Sequence, residues 1–224
     1  MATTSQNRPE KTERARAGLT RDKILQTALD LIDRDGLEAL SMRRLGAELG
    51  VEAMSLYNHV PNKDALLDGV TETMLREIDM TGIEESPWDQ AMRAACRSFR
   101  SVLLAHPNAM PLIAARPEVT PEAFSPIELS LGLFKKAGFG PEDMVLAHWL
   151  VVGYVLGHVG FQVASPLGDP NQVESEVALR KELLPPDAFP NIHASLPYLA
   201  KCDFEAGFEF GLDTIIEGLK LRLA

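Results

Sequence analysis

Cysteine is nearly absent from this chain of 224 residues, with Cys96 and Cys202 the only two. That excludes a disulfide framework, and the pair lacks the spacing of a zinc site, so both are read as small buried hydrophobes. A basic stretch followed by an apolar one is missing after Met1, and the chain is therefore expected to stay in the cytosol. Cationic excess is missing too: 22 Lys and Arg face 32 Asp and Glu, a net charge of -10. Such a balance argues against a protein that coats nucleic acid indiscriminately but leaves room for a focused basic patch. There is no nucleophile elbow, no phosphate-cradling loop and no metal-spaced cluster. Gly132, Gly138 and Gly140 do not form a dinucleotide fingerprint. An enzyme is therefore not expected, nor a metal or other cofactor.

Apolar material is plentiful: 46% of residues are hydrophobic and 24% charged, enough for a buried core in one domain with a smaller appendage. Residues 1–18 are polar, carry Arg8, Lys11, Arg14 and Arg16, and read as a mobile arm. From Thr20, a capping residue, Ile24, Ala28, Leu31 and Ile32 share a helix face that Gly36 ends. Ser41 caps a second helix, Met42 to Leu49. Gly50 breaks it, and a third runs from Ala53 to His59. A longer helix, Lys63 to Met80, turns Leu66, Leu67, Val70, Met74 and Ile78 inward. Beyond a linker at residues 82–87, Pro and Gly punctuate helices near Trp88–His106, Pro121–Ala137, Pro141–Ala164 and Asp203–Leu221. Shorter helices are expected near Ala109 and Ser195. Residues 162–190 read as a surface excursion with a helical insert at Glu174–Leu183. The stretch Met144–Phe161 approaches a membrane span in length. His148 and His158 lie within it, no basic flank marks it and amphipathic helices surround it, so a helix buried all round is the better reading, a candidate for burial between two subunits.

Two short helices joined at a glycine have the form of a helix-turn-helix, in which the second helix enters the major groove. Leu45, Leu49, Val51 and Leu56 supply the inner faces. Outward remain Met42, Arg43, Glu52, Ala53, Met54, Ser55, Asn58 and His59, with Tyr57 at the rim, a set suited to phosphates and base edges. Lys63 adds a cation for a phosphate. Helix pairs with a glycine turn also occur in proteins that never touch DNA, so spacing alone leaves the function open.

The residues themselves narrow it. Gly36-Leu37-Glu38-Ala39-Leu40-Ser41-Met42-Arg43-Arg44-Leu45, Leu49-Gly50-Val51, Ser55-Leu56-Tyr57-Asn58-His59-Val60 and Asn62-Lys63-Asp64-Ala65-Leu66-Leu67 resemble the signature of the tetracycline-repressor (TetR) family. The resemblance implies that Arg43, Ser55, Tyr57, His59 and Lys63 contact operator DNA. Ala53 and Met54 differ from the tetracycline repressors at the groove-reading start of the helix, which implies a different operator. Apolar side chains there read thymine methyls or shape, leaving Arg43 to hydrogen-bond a guanine.

The resemblance continues, more weakly, through Trp88, Ser98-Phe99-Arg100, Arg116-Pro117, Gly138-Phe139 and Phe210-Gly211-Leu212. It implies an all-α architecture: a three-helix DNA-binding domain at 19–65 and a larger helical ligand-binding and dimerisation domain at 66–224. At the places where tetracycline repressors hold drug and magnesium, this chain has Asp79, Ala95, Leu112 or Ile113, Ser130 and Phe161. Hard cations need oxygen ligands that Ala, Leu and Phe lack, so a largely apolar effector is implied instead. By the same resemblance its pocket draws on Phe99, Leu103, Arg116, Pro117, Ile127 and Ser130. Leu131, Val145, His148, Trp149 and Val152 complete it, with Arg116 and His148 fixing orientation. Partners expected are double-stranded operator DNA, a small-molecule effector and a second copy paired through 141–164 and 203–221, with no membrane. A helical small-molecule binder without specific DNA affinity, and an activator, stand as alternatives.

Overall fold

A computed structural model describes residues 18–83, 85–115, 121–168, 170–199 and 203–223, and among these every regular element is helical. The expectations for arm residues 1–17, for Arg116 and Pro117, and for Cys202 lie outside the described residues. The chain forms two compact units, one from residues up to 79 with 101–129, the other from 80–100 with 130 onward.

In the first unit each helix begins and ends where local chemistry dictates. Thr20 accepts from the amide of Lys23 at the start of α1 (Arg21–Asp35), and Gly36 leaves it at φ 84°. Ser41 accepts from the amide of Arg44 to open α2 (Met42–Leu49). Gly50, at φ 69° and ψ 26°, makes the left-handed turn that a side chain would resist. Then comes α3 (Ala53–Leu56), shorter than expected. The amides of His59 and Val60 both return to the Leu56 carbonyl, and Pro61 biases the residue before it away from helical geometry. Asn62 caps α4 (Lys63–Arg76) through the Ala65 amide at 2.7 Å. This helix also stops early: the Glu77 amide closes back onto Met74, a tightened last turn. Ile78, expected within it, is half-buried against the core.

Ile24, Leu29, Ile32, Leu45, Leu56, Leu66 and Met74 are wholly enclosed, each contributing roughly 1.5–3 kcal/mol. The same core takes in Val102 from the end of α5 (Trp88–Ala105), Ala109 from the turn that follows, and Leu112 from α6 (Met110–Ala115).

The second unit holds the first part of α5, the end of α7 (Pro121–Ala137), α8 (Pro141–Ala164), α9 (Pro170–Leu183), α10 (Pro190–Leu199) and α11 (Phe204–Leu221). The excursion after 162 is thus mostly helix, its insert beginning at Pro170. Trp88, Phe134 and Phe139 form a ring cluster with centroids 5.5–6.1 Å apart. Along α5 and α11, antiparallel to each other, an ion-pair ladder runs: Arg93 to Asp213 and Glu217, Arg97 to Glu209 at 2.6 Å, Arg100 to Glu205. Arg97 bonds Glu209 through both Nε and Nη2, and this holds the Glu209 carboxyl below the usual carboxylate range. Cys96, beside the ladder, is buried as expected, and burial pushes its thiol pKa up to about 12.

α8 lies on α11 through aromatic packing. Tyr154 stacks on Phe208 and donates to the Phe208 carbonyl at 2.7 Å, while His158 packs edge-on against Phe204 and Phe208. Burial dominates at His158 and lowers its pKa. α8 is long and apolar enough to cross a membrane by length and composition, with 22% of its most apolar window buried. It is not enclosed on all sides within this chain: Ala147, Val151, Val155 and Val159 form one buried stripe, and Leu146, Trp149, Leu150 and Phe161 are exposed.

A Cβ at Gly211 would lie 2.2 Å from the Tyr154 hydroxyl, which is pinned by its carbonyl bond. Gly211→Ala is expected to lower stability by about 1–3 kcal/mol, and Tyr154→Leu to cost less in that background than alone. Urea titration of the four proteins checks both; additive effects would contradict the packing assignment.

Candidate nucleic-acid interface and effector region

The α2–α3 pair is drawn together at a glycine. A Cβ on Gly46 would sit 3.0 Å from the Val51 carbonyl oxygen and 3.1 Å from the Ala53 nitrogen, so backbone meets backbone at the turn. Leu45, Val51 and Leu56 are buried beneath it and Leu49 half-buried. Met42, expected outward, is instead 9% exposed and belongs to the core. The reason is positional: at the first residue of α2 its side chain points back along the helix axis toward the packed side.

What stays exposed is selective. Arg44 bonds Asp35 at 2.6 Å, and Arg34 bonds Asp35 and Glu48. Arg43, their neighbour, is exposed and enters no side-chain hydrogen bond or ion pair among the described residues. The same holds for Tyr57, Asn58 and Lys63, all exposed, and for His59, half-exposed. Met54 is 72% exposed and Tyr57 42%, while Ala53 and Ser55 are half-buried. Glu52 is exposed as the residue preceding α3. A face with unpaired guanidinium, ammonium, imidazole, amide and phenol groups beside an exposed methionine can bond phosphates and touch base edges.

The residues expected around an effector fall in both units. In the first unit, Leu103 is fully buried and Ile127 half-buried. In the second, Ser130 and His148 are joined, Oγ to Nδ1 at 3.0 Å. Phe99, Leu131 and Val152 are half-buried there, and Val145 and Trp149 are exposed, Trp149 at 67%. At the positions matched to metal and drug ligands, Ala95 is half-buried, Leu112 buried and Phe161 exposed. Among the described residues no three of His, Cys, Asp and Glu gather as a cation would need.

The sequence reading passed over one polar cluster in the first unit. His106 lies between Asp33, 2.6 Å from Nδ1, and Glu77, 2.9 Å from Nε2. No local spacing signals it, because the partners are 73 and 29 residues away. The α5–α11 ladder was also passed over, although Arg93, Arg97 and Arg100 recur at the helical period, as do Glu205, Glu209, Asp213 and Glu217.

Comparison with known proteins agrees across nearly the whole chain. The family "Bacterial regulatory proteins, tetR family" matches residues 24–70, and "Tetracyclin repressor-like, C-terminal domain" matches 82–223. An HTH-type transcriptional regulator of Saccharopolyspora erythraea is 34% identical, covering 95% of this chain and 89% of that one. The HTH-type transcriptional repressor DrrR1 of Streptomyces coeruleorubidus is 30% identical, covering 92% and 79%. Among solved structures, the TetR family protein ActR of Streptomyces coelicolor in complex with actinorhodin superposes with a TM-score of 0.79 at 32% identity. It covers 91% of this chain and 96% of that one.

The close approach at Gly46 makes a sharp demand on residue size. Gly46→Val is expected to lower stability by about 1–3 kcal/mol or more, with Gly46→Ala milder. Denaturant midpoints check the order; a valine variant as stable as the parent would show that the two backbones do not meet as described.

Proposed function

Because the chain belongs to the TetR family of bacterial regulatory proteins, a family of ligand-responsive DNA-binding transcription regulators rather than enzymes, we propose that it is a repressor. It binds a two-fold symmetric operator as a cytosolic homodimer and is released by a small, largely apolar effector other than magnesium-tetracycline. The observation that carries this reading is the sorting of the arginines: Arg34 and Arg44 are held within the domain, whereas Arg43 stands free beside Tyr57, Asn58, His59 and Lys63. A structural patch would pair its charges; a DNA surface keeps some unpaired until phosphate arrives. Arg43 then reads a guanine, Ala53 and Met54 read thymine methyls or shape, and Ser55, Tyr57, His59 and Lys63 hold the backbone. Asn58 and Glu52 flank that contact. Residues 19–65 act as the reading head, and 66–224 as the ligand-binding and dimerisation part.

Dimerisation is supported by what the second unit leaves uncovered. Leu146, Leu150, Gly153, Gly157 and Phe161 recur at helical spacing on the exposed side of α8, and Gly207, Phe210, Gly218 and Leu221 on α11. In water such faces pair, and a second copy presents the same faces by symmetry. Pairing fixes the spacing of the two recognition helices.

For the effector, the Ser130–His148 bond is the polar handle within an otherwise apolar set, with Arg116 as a second. Phe99, Leu103, Pro117, Ile127, Leu131, Val145, Trp149 and Val152 supply apolar surface. The actinorhodin complex of ActR, a protein of this fold, supports a ligand site in this family. The ligand must favour one subunit spacing over the other, since equal affinity for both shifts nothing.

Selection from a pool of random duplexes, sequenced at two salt concentrations, tests the reading. A two-fold symmetric site is expected. Retention without enrichment, or none, would favour the acidic ligand-binding module that the net charge of -10 suggests. On the selected site, Arg43→Ala is expected to lose about 1–3 kcal/mol of discrimination at one base pair per half-site. Equal weakening on every duplex would reduce Arg43 to a phosphate contact. Activation against repression is settled by the sign of a reporter's response in the chain's absence.

A further inference from the structure

Three segments far apart in sequence meet at the His106 imidazole. The residue continues the last turn of α5, its amide bonded to the Val102 carbonyl, and its own carbonyl accepts from Met110 at the start of α6. Its side chain is 12% exposed. Nδ1 faces Asp33 in the last turn of α1, and Nε2 faces Glu77, which caps the C-terminus of α4. Asn108 adds a bond from Nδ2 to the Asp33 carbonyl oxygen at 2.9 Å. Asp33 Oδ1 is buried and accepts no hydrogen bond among the described residues, so His106 is the group that compensates this carboxylate.

Carboxylates only accept. A neutral imidazole carries one N–H and one lone pair, so one of the two carboxylates would face a lone pair, and only the imidazolium donates to both. The charged groups facing the ring are Asp33 and Glu77. Arg34 is turned to Asp35 and Glu48, and Arg76 to Glu72. Burial alone lowers the imidazole pKa, but the bonds and charges of Glu77 and Asp33 together outweigh it and hold it above the ordinary value.

We propose that His106 is a protonation-dependent latch: charged, it ties residues 106–108 to the C-terminal ends of both α1 and α4; neutral, it lets one of them go. Since α1 and α4 brace the α2–α3 pair through a common core, the latch sets how firmly that pair is held. Its effect on DNA rests on the regulator reading above; its titration does not. A raised folded-state pKa fixes the sign. The latch is complete below the ordinary imidazole pKa of about 6.5 and is lost as pH rises through the higher folded value.

Titration of the imidazole C–H resonances by NMR tests it, with His106→Gln identifying the signal. The wild-type midpoint is expected above about 6.5, and Glu77→Gln is expected to lower it. A midpoint at or below the ordinary value, or one unmoved by Glu77→Gln, overturns the latch. On the selected operator, wild-type dissociation is expected to accelerate by up to about tenfold between about pH 6 and about pH 8.5, with a flatter profile in His106→Gln. Parallel profiles would overturn the role in DNA release, because a purely structural histidine gives a deficit independent of pH. If His106→Gln does not fold, Glu77→Gln serves as the comparison in the operator measurement, and site-specific ¹⁵N labelling of the wild-type histidines identifies the ring. Failure to recover any operator, with the titration as expected, would strike the regulator reading and leave the latch standing.

Discussion

Val102, Ala109 and Leu112 close the same core as Ile24, Leu29 and Met74, so the reading head has no complete interior without a segment some thirty residues beyond the end of α4. The matched C-terminal domain begins at residue 82, which makes these three residues part of it by sequence and part of the DNA-binding core by packing. Side chains packed at crystalline density transmit a displacement instead of absorbing it. Whatever moves residues 102–112 therefore acts on α1 and α4 directly, and these helices fix where α2 and α3 point. The constraint needs no long chain of couplings, only one shared apolar seam. Leu103 lies next to Val102 on α5, so the expected effector-lining residue and the core residue move as one helical turn.

The second unit solves a different problem. α11 must be held to its own chain while its other side stays available. The ladder of Arg93, Arg97 and Arg100 against Asp213, Glu209 and Glu205 runs along the seam between α5 and α11. Exposed ion pairs stabilise weakly, on the order of 0.2–1 kcal/mol each. Both series recur at the helical period, so a shift of one turn would re-form most of the pairs, and the apolar side of α11 decides the register. Burial of Phe208, Leu212, Ile216 and Leu219 supplies the cohesion. Arg100 joins the two contributions: it pairs with Glu205, bonds Gln162 and lies 4.9 Å over the Phe208 ring.

Much of this was legible from residues alone, for stated reasons. Thr20 and Ser41 are capping residues at the starts of α1 and α2, and α7 and α8 begin at the prolines that open them. Where apolar periodicity outran the helix, the reading ran long: Ile78 still packs inward after α4 has ended, and His59 follows Leu56 in a turn. Met42 turns inward although its spacing places it outward, because the first residue of a helix points back toward its entry, a direction that spacing does not encode. The expectation for Met144–Phe161 identified its helix but not its faces. A run with apolar residues on every side carries no moment, so only tertiary packing distinguishes the Val151–Val155 stripe from the exposed Leu146–Leu150 side.

The His106 cluster illustrates what no local pattern reveals. Asp33 looks like one more acidic residue near a helix end, where a negative charge is disfavoured by the helix dipole. Its side chain is only one quarter exposed, and one oxygen is fully buried. A carboxylate in that position costs stability unless a cation compensates it. The cation could have been a lysine or arginine, permanently charged. A histidine instead makes the compensation conditional, and it sits at the one place where the end of α5 meets the ends of α1 and α4. A permanent charge there would join all three segments under all conditions; an imidazole holds both carboxylates only while protonated and keeps one of them when neutral. The choice of residue, and not the geometry alone, is what turns a structural contact into one whose strength depends on the proton.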